Sequence, residues 1–265
     1  MKKMGLTIFI AMLLVFLVAG CSDNENTDKS KKQDKEKVEL TVSAAASLQD
    51  ALNEINSNFE TDNPNIKVNF NYGGSGGLQQ QISQGAPVDL FFSAAEDKFE
   101  VLKKEGRIEK DKAVNLVENE LVLVVPKKSN SGIKTFDDLV KAKRIAIGTP
   151  ESVPAGQYAK ETLEYLNIWG KLEEKVIPAK DVRQVLTYVE TNNVDAGIVY
   201  KTDAQVSSKV EMVATAKKEY HQPIIYPVGV VKTSTHQKEA ALFYDYLKSE
   251  ESLKILEKFG FKRVE

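Results

Sequence analysis

Four strand-to-helix turns in this chain put small or backbone-exposing residues just where a helix begins. They are Ser43-Ala44-Ala45-Ala46-Ser47-Leu48, Gly73-Gly74-Ser75-Gly76-Gly77-Leu78, Ser152-Val153-Pro154-Ala155-Gly156 and Asp181-Val182-Arg183. A helix start exposes N–H groups that have no intrahelical partner, together with the positive end of the dipole. Several such starts facing one cleft therefore make an anion site. Small residues matter because a bulky side chain keeps an anion away from the backbone. Each turn alone has a plainer reading. Ser47 is placed to cap the helix that follows, and Asp181 is an ordinary cap. The glycine run is a flexible turn, and Pro154 sits where a first helical turn favours proline. Asp181 also opposes an adjacent anion unless its carboxylate turns away.

Other chemistries meet obstacles. The glycine run is not a P-loop, because Gly77 is followed by Leu78-Gln79 and not by Lys-Ser or Lys-Thr. Gly73, Ser75 and Gly77 do match G-x-S-x-G, the nucleophile elbow of serine hydrolases. A triad on Ser75 then needs His221 or His236, both in polar surroundings that read as surface. A site for a small organic acid normally uses an arginine clamp, for which Arg144 and Arg183 are the mid-chain candidates. One cysteine and two histidines leave no disulfide framework and no material for a Cys/His zinc cluster. No cofactor and no direct metal ligand is expected.

The turns need elements to hold them, and the hydrophobic period supplies these. Leu40-Thr41-Val42 reads as a strand, and Leu48, Ala51, Leu52, Ile55 and Phe59 mark a helix. Strands at 68–72, 88–92 and 121–125 alternate with helices that begin at Leu78 and run through Phe99 to Gly106. The pattern then repeats. Strands lie at 144–148, 176–177 and 196–199, helices at 157–166 and 182–189, an extended apolar segment at 224–231, and closing helices at 238–259. Such alternation predicts mostly parallel sheets covered on both faces, in two α/β lobes. The chain has 265 residues, 42% apolar and 28% charged, with a formal charge of −2. That balance lacks the basic excess of a nucleic-acid binder, so no nucleic-acid partner is expected.

The N-terminus reads as an address and an anchor. Lys2 and Lys3 precede an uncharged, mostly apolar run at 4–18, followed by Ala19-Gly20-Cys21. The run is short for a membrane span, which takes about 20 apolar residues. Val18-Ala19-Gly20-Cys21 resembles the bacterial lipoprotein signal, although leucine is commoner at the first position. The resemblance implies a signal peptide at 1–20, cleavage before Cys21 and lipid on its thiol. The plainer alternative is an incidental cysteine in an ordinary signal. Residues 22–37 are polar with balanced charge, the composition of a solvated tether. The expected location is outside the cytoplasm, lipid-anchored to the outer face of the cell membrane.

Five segments in order and spacing resemble the molybdate-binding proteins of ABC transporters. They are Ala44-Ala45-Ala46-Ser47-Leu48, the turn around Ser75, Val153-Pro154-Ala155-Gly156-Gln157-Tyr158-Ala159, Asp181-Val182-Arg183-Gln184-Val185-Leu186 and Val199-Tyr200-Lys201-Thr202-Asp203-Ala204. The resemblance runs from Val38 to the C-terminus. It implies a type II periplasmic-binding fold, two α/β lobes joined by two crossing strands, with lobe 1 at 38–121 plus 226–265 and lobe 2 at 122–225. It further implies hydroxyl and N–H donors from Ser47 and Ser75, backbone N–H donors from Ala155 and Val182, and the phenol O–H of Tyr200. Where many members have a serine-rich turn, this chain has Gly73-Gly74-Ser75-Gly76-Gly77, which leaves Ser75 as its only hydroxyl. The implied partners are a permease and its ATPase subunit, and the implied receptor is a monomer without enzymatic activity.

Every donor in that set is neutral, so the site needs no lysine or arginine. Donors without acceptors select an oxyanion that carries no proton. Hydrogen phosphate would set its own O–H against N–H groups, an unmet buried donor costing roughly 1–3 kcal/mol. Molybdate, tungstate and sulfate all meet this condition, and pocket volume separates them. Only the resemblance favours molybdate. The remaining alternatives are a sulfate receptor and, further off, the secreted hydrolase using Ser75.

Overall fold

The computed structural model describes residues 37–264. The signal segment, Cys21 and the tether up to Glu36 lie outside the described residues. In β1 (Val38–Ala45) Leu40 is buried, and so is every residue from Val42 to Ala45, the near-continuous burial of a strand covered on both faces. A short 3-10 turn at Ala46–Leu48 leads into α1 (Gln49–Asp62), which buries Ala51, Leu52, Ile55 and Phe59 along one stripe. The chain continues through β2 (Ile66–Gly73), α2 (Ser75–Ser83), β3 (Leu90–Phe92), α3 (Glu96–Lys104) and β4 (Ile108–Glu118). It then passes into β5 (Leu121–Pro126), β6 (Ile145–Gly148), α4 (Pro154–Tyr165), α5 (Trp169–Leu172) and β7 (Val176–Ala179). After these come α6 (Val182–Glu190), β8 (Ala196–Tyr200), α7 (Lys201–Gln205) and β9 (Val210–Thr215). The return is β10 (Ile225–Val231), followed by α8 (Gln237–Leu247), α9 (Glu250–Lys258) and β11 (Lys262–Arg263).

The strands form two sheets, one ordered β11-β4-β10-β3-β1-β2 and the other β7-β6-β8-β5-β9. Each is the centre of an α/β lobe. In the first, Leu90 and Phe92 join the main core while Phe91, pointing the other way, stacks on Phe99 of α3. On the main-core side Phe59 of α1 meets Phe243 of α8 edge to face, with ring centroids 4.8 Å apart. The sheets are mixed, not mostly parallel as the alternation predicted. β1 runs parallel to β2 and β3, and β6 to β7 and β8, whereas β10, β4, β11, β5 and β9 pair antiparallel. The reason is connectivity: β5 and β10, which enter from the other lobe, run opposite to the helix-linked strands, so β4 and β9 pair antiparallel against them, and β11 turns back antiparallel on β4.

Chain crossings join the lobes at Asn119-Glu120, between β4 and β5, and at residues 216–224, between β9 and β10. Asn119 N–H donates to Ile224 O at 3.1 Å, and Ala216 N–H to Leu121 O at 2.9 Å, so the crossings lie side by side. The first is almost a continuous strand, while the second carries a 3-10 turn at Lys218–Tyr220. β4 and β9 had no counterpart in the hydrophobic pattern. β4 buries only Ile108, Leu116 and Val117, and β9 is an edge strand with Glu211 and Met212 exposed.

One close approach fixes the second lobe. A Cβ on Gly156, in the first turn of α4, would stand 1.9 Å from Gly148 O at the end of β6. Gly156→Ala is therefore expected to lower stability by about 1–3 kcal/mol despite alanine's better helix propensity. Thermal or urea unfolding checks this, and an unchanged midpoint would contradict the packing.

Candidate functional site

The three parallel strands of each lobe end on a common edge, and ligands of open α/β sheets bind beyond such carboxyl ends. Here the segments after β1, β2 and β3 face those after β6 and β7 and the end of β8, around a small cavity. Ser47, Ser75, Ala155, Val182 and Tyr200 all line it. Gly74 and Ala94 also line it; Ala94 follows a strand with no helix-start signal of the kind that revealed the other turns.

Each N–H group has a local reason to be available. Val182 opens α6, Ser75 opens α2, and Ala155 follows Pro154 at the start of α4. Their amides, with that of Ser47, make no backbone hydrogen bond among the described residues. Asp181 is the N-cap of α6, and its Oδ1 accepts from Gln184 N–H at 2.8 Å. Its carboxylate is thus turned onto its own helix and does not line the cavity.

The hydroxyls are held from behind. Ser75 Oγ accepts from Ala94 N–H at 2.9 Å, which leaves its proton to donate. Ser47 is not the side-chain cap expected of it: Leu48 holds the N-cap position of α1, and Ser47 Oγ lies 2.8 Å from Tyr226 Oη. Tyr226 Oη also accepts from Asn119 Nδ2 at 3.1 Å. Asn119 lies in the first chain crossing and Tyr226 at the start of β10, just past the second, and no local motif in the sequence points to this backing pair. Tyr200 ends β8 with 1% of its surface exposed, and its Oη has no hydrogen-bond partner among the described residues. A buried donor left so costs about 1–3 kcal/mol, which makes it a pointer to a ligand. Burial, above all, pushes the phenols of Tyr200 and Tyr226 well above the usual tyrosine range, so both remain neutral.

The competing chemistries lose their parts. Neither histidine lines the cavity; His221 Nδ1 faces Gln222 O at 2.7 Å, and His236 Nδ1 lies 3.5 Å from Asp89 Oδ1. Ser75 therefore has no base, and the hydrolase reading falls. Arg144 is exposed, away from the cavity. Arg183 is held by carboxylates: Nε lies 2.9 Å from Asp203 Oδ1 in its own lobe, and Nη2 pairs with Asp50 of α1 across the cleft. Its charge is neutralised where it stands, leaving no clamp for an organic acid.

A receptor that captures a small solute between two lobes is the class these features define. The family described as bacterial extracellular solute-binding protein matches residues 40–262, and the chain belongs to it. Within that family it is a ModA-like substrate-binding protein, and not an enzyme. The molybdate-binding protein ModA of Escherichia coli (strain K12) is 38% identical over 98% of this chain and 99% of its own. A Bacillus subtilis (strain 168) protein, YvgL, provisionally named an ABC transporter substrate-binding lipoprotein, is 57% identical over 96% of this chain and 97% of its own. A Clostridium difficile structure, provisionally described as the substrate-binding domain of a molybdenum ABC transporter, is 44% identical. Its TM-score is 0.66, and the match covers 86% of this chain and 100% of that one.

Beside the cavity, burial pushes the Asp203 carboxyl up to about 7, against the pull of Arg183. A carboxyl whose folded value is raised binds its proton more tightly when folded. Its stabilising contribution is present below about pH 4 and is lost as pH rises towards 7. Compared with Asp203→Asn, the wild type should lose up to about 1.4 kcal/mol per pH unit across that window, measured by urea unfolding. Parallel pH profiles for the two proteins would remove Asp203 as the cause.

Proposed function

We infer that this chain is the receptor of an ABC importer and captures molybdate, and tungstate with it, between its lobes. The ligand contacts are Ser47 and Ser75 through hydroxyl and N–H, Ala155 and Val182 through backbone N–H, and Tyr200 through its phenol. The lobes divide at the two crossings. Lipid on Cys21 anchors the receptor to the outer face of the membrane, and the closed form is handed to a permease served by an ATPase subunit. The receptor acts as a monomer.

One observation carries this reading: donors from both lobes meet at one small cavity, and the phenol among them is buried without a partner. No lysine, arginine, aspartate or glutamate lines the cavity, so its character is that of a pure donor set. A fully ionised tetrahedral dianion satisfies every donor and brings no proton of its own. Because the donors come from opposite lobes, such an anion binds the closed state better than the open one, which is what closure by a ligand requires. The names of the ModA relatives support molybdate in particular. Sulfate is the second reading, since it is equally ionised and differs in size alone.

Calorimetric titration of the protein from residue 22 onward separates them. Tight binding of molybdate and tungstate is expected, with little heat from sulfate or phosphate; tight sulfate binding would reassign the ligand. Ser47→Ala and Tyr200→Phe should each weaken molybdate binding by about 1–3 kcal/mol, some 5- to 150-fold, without unfolding the protein. Unchanged affinity in both variants would sink the site assignment.

A further inference from the structure

The glycine run does something that its ligand-lining role leaves unexplained. At the start of α2, Gly76 N–H donates across the cleft to Ser152 O at 2.9 Å. Ser152 belongs to the segment between β6 and α4, so this bond joins backbone to backbone between lobes. A Cβ built on Gly76 would stand 2.8 Å from Ser152 O and 2.9 Å from Ser152 Cα. One on Gly74 would stand 2.9 Å from Ser152 O and 3.0 Å from Lys180 O. These neighbours are main-chain atoms, which have no rotamer by which to step aside. Gly77, one residue further along the same helix, has nothing within 4 Å of the corresponding position. None of the three has a positive φ, so a side chain strains none of them by itself.

We propose that Gly74 and Gly76 are positioning residues that set how closely the two lobes approach, and through that distance the affinity of the cavity between them. The role rests on the reading of that cavity as an oxyanion site. The donors of the first lobe and those of the second reach one small anion together only if the lobes meet at this seam. A methyl group at either glycine acts as a wedge: the ligand then keeps the contacts of one lobe and loses those of the other. The wedge acts only where the lobes touch, so it leaves the separate lobes intact.

The test uses Gly76→Ala, with Gly77→Ala as a control of the same chemistry in the same helix. Molybdate titration of the full chain is combined with distance measurement between spin labels, one on each lobe. Ligand-free thermal midpoints should match for the two variants, showing that both fold. Gly77→Ala should bind as the wild type does, and Gly76→Ala at least about tenfold more weakly, with its label distance longer at saturating molybdate. Equal affinity and equal distance in Gly76→Ala and wild type would overturn the proposal, as would an equal loss in Gly77→Ala. If Gly76→Ala fails to fold, Gly74→Ala takes its place with the same expectations. A wild type that does not bind molybdate would count against the ligand reading alone. The glycine role is then decided without ligand, by whether the short-distance population falls in Gly76→Ala and not in Gly77→Ala.

Discussion

The first turn of an α-helix leaves N–H groups without an intrahelical acceptor, and in this molecule the first turns of α2, α4 and α6 converge on one cavity. That shortage of acceptors organises the rest. The parallel part of each sheet brings helix starts to a common edge. The antiparallel part carries the crossings that set one edge opposite the other. Short residues at the turns follow from the same need, because in the proposed site the backbone itself is the binding group.

Charge is managed by exclusion. Arg183 adjoins Val182 in sequence, and Asp203, Asp50 and Asp181 raise its pKa against the opposing effect of burial. A dianion bound as proposed would therefore meet dipoles, not a competing salt bridge. Dipoles fixed by helix geometry need no rearrangement when the ligand arrives, and they attract a dianion by position alone. The near-neutral composition of the whole chain is consistent with such a site.

Much of this was legible in the sequence because it is local. Strand-to-helix turns announce themselves by period and by small residues, and all five predicted contact residues do line the same cavity. What was not legible is what depends on distant partners. Ser47 looks like a cap, and only the fold brings Tyr226, 179 positions away, to its hydroxyl. β4 carries too many charged residues to show a period. The glycine run reads as flexibility until Ser152 and Lys180 are seen packed against it.

The pairing behind Ser47 has a direction. Asn119 Oδ1 accepts from Glu120 N–H at 2.8 Å, which fixes the amide so that Nδ2 faces Thr202 Oγ1 and Tyr226 Oη. Tyr226 Oη thus accepts a hydrogen bond from Asn119 and has its own O–H to donate to Ser47 Oγ, so the serine O–H is left to face the cavity. The sense of this chain is set in the crossing between the lobes, by a main-chain amide that cannot reverse. The crossing that joins the lobes also decides that the serine hydroxyl faces the cavity as a hydrogen-bond donor.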